Sequence, residues 1–162
     1  MRRRHLITVT AMATAATIAA GTGGAASAKS EQVMKLTCTI ESFQQAMPNP
    51  TAINFGYVSC PKPFRKGLHY SAFTVTTEPA PGVPGAANGN FKNYYPHGTT
   101  RGTFELTIVA SSPTNLTYTG TVTYTGGTGK FKHVKGGGTI ACTTTDGGAH
   151  KLCDVNTTLT GI

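Results

Sequence analysis

Apolar and polar residues alternate along most of the chain, with a period of two. Met34, Leu36, Cys38 and Ile40 are interleaved with Lys35, Thr37, Thr39 and Glu41, the pattern of a strand covered on one face. A second extended run occupies residues 53–60 and stops at Pro61 and Pro63; a third, rich in β-branched and aromatic residues, spans 68–77. Phe104, Leu106 and Ile108 then alternate with Thr103, Glu105 and Thr107. Leu116, Tyr118, Val122 and Tyr124 alternate with Thr117, Thr119, Thr121, Thr123 and Thr125. Runs at 131–142 and 152–159 complete a set of about seven or eight. Short, evenly spaced strands with glycine-rich turns predict an all-β domain, a sandwich or a small antiparallel barrel, and a closed barrel would leave no exposed edge. Residues 44–50 have room for a helical turn at most. Residues 78–90 hold three Pro, three Gly and three Ala and read as a long loop, a candidate lid. The aromatic segment 91–97 reads as a non-strand plug or pocket mouth.

The N-terminal segment has a different pattern. Arg2, Arg3 and Arg4 precede a stretch of small and apolar residues from 6 to 21, and Ala26-Ser27-Ala28 follows. This is the order of a secretory signal peptide, cleaved before Lys29. The apolar stretch is short and diluted by threonines, so it predicts export and no stable membrane insertion after cleavage. The remaining single domain, residues 29–162, carries 11 basic and 6 acidic side chains. No aromatic–basic module for nucleic acid is present, and export makes such a partner unexpected.

All four cysteines, Cys38, Cys60, Cys142 and Cys153, fall after the cleavage site. In an oxidising compartment they predict two disulfides. Asp146-Gly147-Gly148 is a strong turn signal, and a hairpin centred on Gly147-Gly148 sets Cys142 opposite Cys153. Of the three possible connectivities, this geometry favours Cys142–Cys153 and leaves Cys38 with Cys60.

The run Gly126-Gly127-Thr128-Gly129-Lys130-Phe131, followed by Val134 and Gly136, adds a more specific signal. It lacks the spacing of a phosphate-binding loop, because Tyr124 and Phe131 stand where Gly and Ser/Thr are required. Its glycines suit a tight connection and a strand that coils sharply. Together with Gly98-Thr99-Thr100-Arg101-Gly102-Thr103-Phe104, the run resembles the Gly-Gly-Thr-Gly-[Lys/Arg]-[Phe/Tyr] signature of the allene oxide cyclase and dirigent barrels. The resemblance covers residues 98–140. It implies a calycin-like barrel with an apolar cavity that holds or cyclises unsaturated lipid, polyketide or phenolic molecules. Its catalytic residues cannot be carried over, because the matching segment is scaffold.

Candidate chemistry is sparse. His69, His97, His133 and His150 have no metal-ligand spacing, so neither a metal site nor a cofactor is expected. Arg101 and Glu105 share one strand face, outward by alternation and useful for acid–base steps only if the lumen is the polar side. Lys130, Lys132, Lys135 and Lys151 read as solubilising charges. Asn115 and Asn156 begin glycosylation sequons, incidental in a chain whose signal looks bacterial.

Three functions follow. The first is a secreted barrel that binds a small apolar molecule among Met34, Leu36, Phe104, Leu106, Tyr118, Val122 and Tyr124. The second is a cyclase or coupling-directing enzyme using Tyr94, Tyr95, His97, Arg101 and Glu105. The third is a disulfide-stapled interaction or inhibitor protein with a filled barrel. Intact-mass measurement of the exported protein is expected to give a chain beginning at Lys29 and lighter by four hydrogens. A mass retaining Met1, or all four thiols, contradicts this.

Overall fold

The computed structural model describes residues 32–45 and 51–162, so the signal segment and the proposed helical turn beyond Gln45 lie outside the described residues. Eight strands form one closed antiparallel barrel: β1 (Met34–Gln45), β2 (Thr51–Ser59), β3 (Lys66–Thr77), β4 (Gly85–Tyr95), β5 (Gly98–Ala110), β6 (Leu116–Gly127), β7 (Lys135–Thr144) and β8 (His150–Thr160). Each strand pairs with its neighbours in sequence, and β8 returns to β1 from Met34↔Leu159 to Phe43↔His150. The alternation seen in the sequence becomes inside and outside. On β8, for example, Lys151, Cys153, Val155, Thr157 and Leu159 are buried, while Leu152, Asp154, Asn156 and Thr158 are exposed.

Two segments differ from expectation. Residues 85–95 are strand β4, not a loop followed by an irregular plug. Their glycine, alanine and asparagine content hides the alternation, but Ala87, Phe91, Asn93 and Tyr95 all point inward and are buried. The connection before β4 is therefore limited to 78–84. It is closed by reciprocal hydrogen bonds in which Ala80 N donates to Val83 O (3.0 Å) and Val83 N to Ala80 O (2.8 Å).

Both disulfides form as the hairpin geometry favours: Cys38–Cys60 joins β1 to the segment after β2, and Cys142–Cys153 joins directly paired residues of β7 and β8. One barrel end is filled by aromatic rings. Phe64 from the β2–β3 turn stacks on Phe131 from the short 3₁₀ turn Gly129–Phe131, with centroids 4.5 Å apart. Tyr95 meets both rings at 5.3 and 5.6 Å. The hydroxyl of Tyr95 also lies 3.6 Å from Cys60 Sγ.

β5 slips register against β6 between Arg101 and Gly102. Gly102 faces inward there, and a Cβ on it would strike the Thr123 carbonyl oxygen and come within 2.9 Å of the Phe91 ring. Gly102→Ala is therefore expected to cost at least the ~1–3 kcal/mol of ordinary core overpacking. Denaturant unfolding measures it, and an unchanged midpoint would mean the strands can separate there without penalty.

Candidate functional site

The inward side chains divide the lumen into two walls. Phe104, Leu106, Tyr118, Val122, Tyr124 and Ile140, on β5–β7, form an apolar wall. Ser42, Asn54, His69, Ser71 and Asn93, on β1–β4, bring polar groups to the other side, interspersed with Ile40, Phe73 and Phe91. Between them lies a cavity of about 50 Å³, room for roughly three to five water-sized groups.

The polar wall is a directed chain of hydrogen bonds. Asn54 Nδ2 donates to Ser71 Oγ (3.2 Å), and the Ser71 hydroxyl lies 3.2 Å from His69 Nε2. His69 Nδ1 lies 2.8 Å from Asn93 Oδ1, and Asn93 Nδ2 donates to Thr100 Oγ1 at 3.4 Å. Because a carbonyl oxygen can only accept, Nδ1 carries the His69 proton and Nε2 accepts from Ser71. Burial holds the His69 pKa below its ordinary value, against the opposing pull of the Asn93 hydrogen bond. The ring is thus a neutral link at pH 7. Among the described residues no buried side-chain polar atom lacks a partner.

Lys151 begins this chain. It lies two residues before Cys153 on β8, so the inward disulfide sulfur fixes its side chain inward as well. Its Nζ donates to Gln44 Oε1 (2.6 Å), to Asn54 Oδ1 (3.4 Å) and to the Gly148 carbonyl oxygen. The Phe73 and Tyr118 rings each stand 5.6 Å away. The three acceptors are all neutral. The Glu41 carboxylate, 3.2 Å from His150 Nε2, lies elsewhere, at the surface. Burial pushes the Lys151 pKa down to about 8, partly offset by the more distant Asp146 carboxylate.

The β7–β8 turn delivers the Gly148 carbonyl. Thr144 Oγ1 accepts from Gly148 N (3.1 Å) and donates to Asp146 Oδ1 (2.6 Å), which also accepts from His150 N (2.9 Å). Gly148 has φ +99°, and a Cβ there would stand 3.0 Å from Tyr118 Oη and 3.6 Å from Lys151 Nζ. Glycine thus keeps open the space those two groups share.

Of the residues expected to line a cavity, Phe104, Leu106, Tyr118, Val122 and Tyr124 do so. Leu36 is buried and Met34 partly buried against the core, but neither lines the cavity. The candidate catalytic group is not assembled. Tyr94, His97, Arg101 and Glu105 are exposed, because alternation turns Tyr94, Arg101 and Glu105 outward and His97 sits in the β4–β5 turn. Tyr95 belongs to the aromatic plug. One reading is corrected: Lys151 is not a solubilising surface charge but is buried, as is His69. The parity of Cys153 was the sequence signal for Lys151, and that of Phe73 the signal for His69 and Ser71. Among the described residues no His, Cys, Asp and Glu cluster could hold a metal ion.

Neither the known protein-family models nor the curated protein sequences contain a match to this chain.

The buried amine has a pH signature. Lys151 falls from an ordinary 10.5 to about 8 on folding, so the unfolded chain holds the proton more tightly. Stability should therefore rise as pH climbs through that window, by about 3 kcal/mol in the limit. Tyr118 and Tyr124, pushed up to about 12 by burial, act oppositely: their contribution is complete below pH 10 and is lost as pH rises towards 12. Urea midpoints across pH 7–12 are expected to rise and then fall. Lys151→Met should abolish the rise and keep the fall; a rise persisting in that variant would place its origin in another group.

Proposed function

We propose that the protein is exported by its N-terminal segment and binds a small molecule in the barrel lumen. The preferred molecule has a short apolar body and a carboxylate head set against Lys151. The observation that carries this reading is the buried ammonium of Lys151, held by three neutral acceptors at the edge of an apolar-walled cavity. A buried cation without a counter-ion is costly, and a ligand carboxylate would supply the missing charge. Phe104, Leu106 and Val122 would take its carbon chain. The cavity of about 50 Å³ favours molecules of a few heavy atoms, far below the ~300–1,000 Å³ of sites for drug-sized ligands.

The closed antiparallel barrel agrees with the resemblance to allene oxide cyclase and dirigent proteins. Binding is favoured over cyclase or coupling chemistry because Tyr94, His97, Arg101 and Glu105 face away from the lumen. The small cavity also supports a second reading, a filled barrel whose outer surface acts. A series of straight-chain carboxylates and their neutral amides, titrated by calorimetry, separates the two. The shortest acids are expected to bind, the amides to bind at least tenfold more weakly, and Lys151→Met to lose at least tenfold for the acids. If no acid binds and wild type and variant behave alike, the filled barrel is the better account.

A further inference from the structure

The outer surface also has two sides of different character. Where β1–β4 turn Ser42, Asn54, Ser71 and Asn93 inward, they turn Phe43, Phe55, Tyr70 and Tyr94 outward. The strand registers assemble these side chains into two adjacent rows. One runs Phe43–Phe55–Tyr70–Lys92 and the other Glu41–Tyr57–Leu68–Tyr94. Tyr57 is 62% exposed, Leu68 56%, Phe43 50%, Phe55 46% and Tyr94 43%. A contiguous exposed apolar patch of this kind marks a contact surface. Around the rest of the barrel the outward positions are mostly polar, with threonine the commonest, as at Thr103 and Thr107 on β5, Thr117 to Thr125 on β6, and Thr139 and Thr143 on β7; Val109 and Leu152 are isolated exposed hydrophobics there.

Basic side chains are interleaved with the aromatic ones. Lys92 and Arg101 stand directly opposite each other across β4 and β5, a like-charge pair that is unfavourable unless an anion lies over it. The Lys92 amine sits 5.0 Å over the Tyr94 ring, and Lys66 lies on the Leu68 face of β3. Glu41 is the one acid in the two rows, and His150 engages it at 3.2 Å.

We propose that this half of the barrel is a docking face for an anionic lipid bilayer surface. Charge complementarity selects an anionic partner, and Phe43, Phe55 and Leu68 need apolar depth beneath the charged layer. Tyrosine and lysine at the boundary between the two match the composition of membrane interfaces. The face is convex, spanning four strands of a closed eight-stranded barrel, so a deformable headgroup layer can follow it. A second copy would meet it along a narrow band and bring Lys66, Lys92 and Arg101 near their own equivalents. The threonine half argues against spanning, which requires an apolar band all round.

Vesicle co-sedimentation of the exported, oxidised protein tests this, with phosphatidylglycerol–phosphatidylcholine vesicles against phosphatidylcholine alone. Binding is expected on the anionic vesicles, at least tenfold weaker for Tyr57→Ser/Leu68→Ser and for Lys92→Glu/Arg101→Glu. Thr119→Ser/Thr121→Ser on the opposite side should bind as wild type. Tyr57, Leu68 and Arg101 are exposed and Lys92 is half-buried, and the thermal midpoint of each variant checks that the fold is kept. The proposal falls if anionic vesicles are not bound, or if the serine variants bind as wild type, since general charge attraction then suffices. It also falls if light scattering finds a dimer that the serine variants dissociate, or if an anionic polysaccharide is bound while vesicles are not.

Discussion

Closing eight antiparallel strands on themselves leaves an interior barely wider than the side chains that fill it. Every inward residue then meets residues from across the barrel, and no polar group there can turn to water. The aromatic plug of Phe64, Tyr95 and Phe131 meets this constraint with volume. The β1–β4 side meets it with connectivity, because Asn54, Ser71, His69 and Asn93 are each both donor and acceptor in a single line. Such a line is cooperative, so the loss of one member unpairs its neighbours. Lys151 stands at its head as a group with donors only, which orients every bond downstream.

The fold was legible where alternation was strong. β1, β5 and β6 could be read residue by residue because polar residues, all of them threonine in β6, alternate with the inward apolar ones. The Cys142–Cys153 bond followed from a turn signal and equal arm lengths. β4 was obscured because glycine, alanine and asparagine carry little hydropathy contrast, and its strand character comes from pairing with β3 and β5. The site was legible only on its apolar wall. A lysine or asparagine in an alternating strand is assigned to solvent by hydropathy, whereas Lys151 and Asn54 are inward through backbone parity and are stabilised by partners far away in sequence.

The two surfaces of β1–β4 are linked by that same parity. A strand cannot place a polar residue inside without offering its neighbours to the outside, and here those neighbours are aromatic. Inner and outer faces are therefore one sequence feature seen from two sides. A one-residue slip of β2 or β3 would put Phe55 and Tyr70 in the lumen and expose Asn54 and Ser71. In β2, Val58 and Ala52 oppose that slip, since both are buried at the ends of the same inward set.

The disulfides flank the junction of β1 and β8 without crossing it. One staples the first hairpin and the other the last, leaving the chain between Cys60 and Cys142 unconstrained by either. The β1–β8 ladder is thus the longest-range pairing in the molecule and the one that oxidation does not bring closer. Until it forms, the sheet has two free edges that are complementary to each other and to the same edges of any neighbouring chain. Folding at high concentration therefore sets ring closure within one chain against exchange between two.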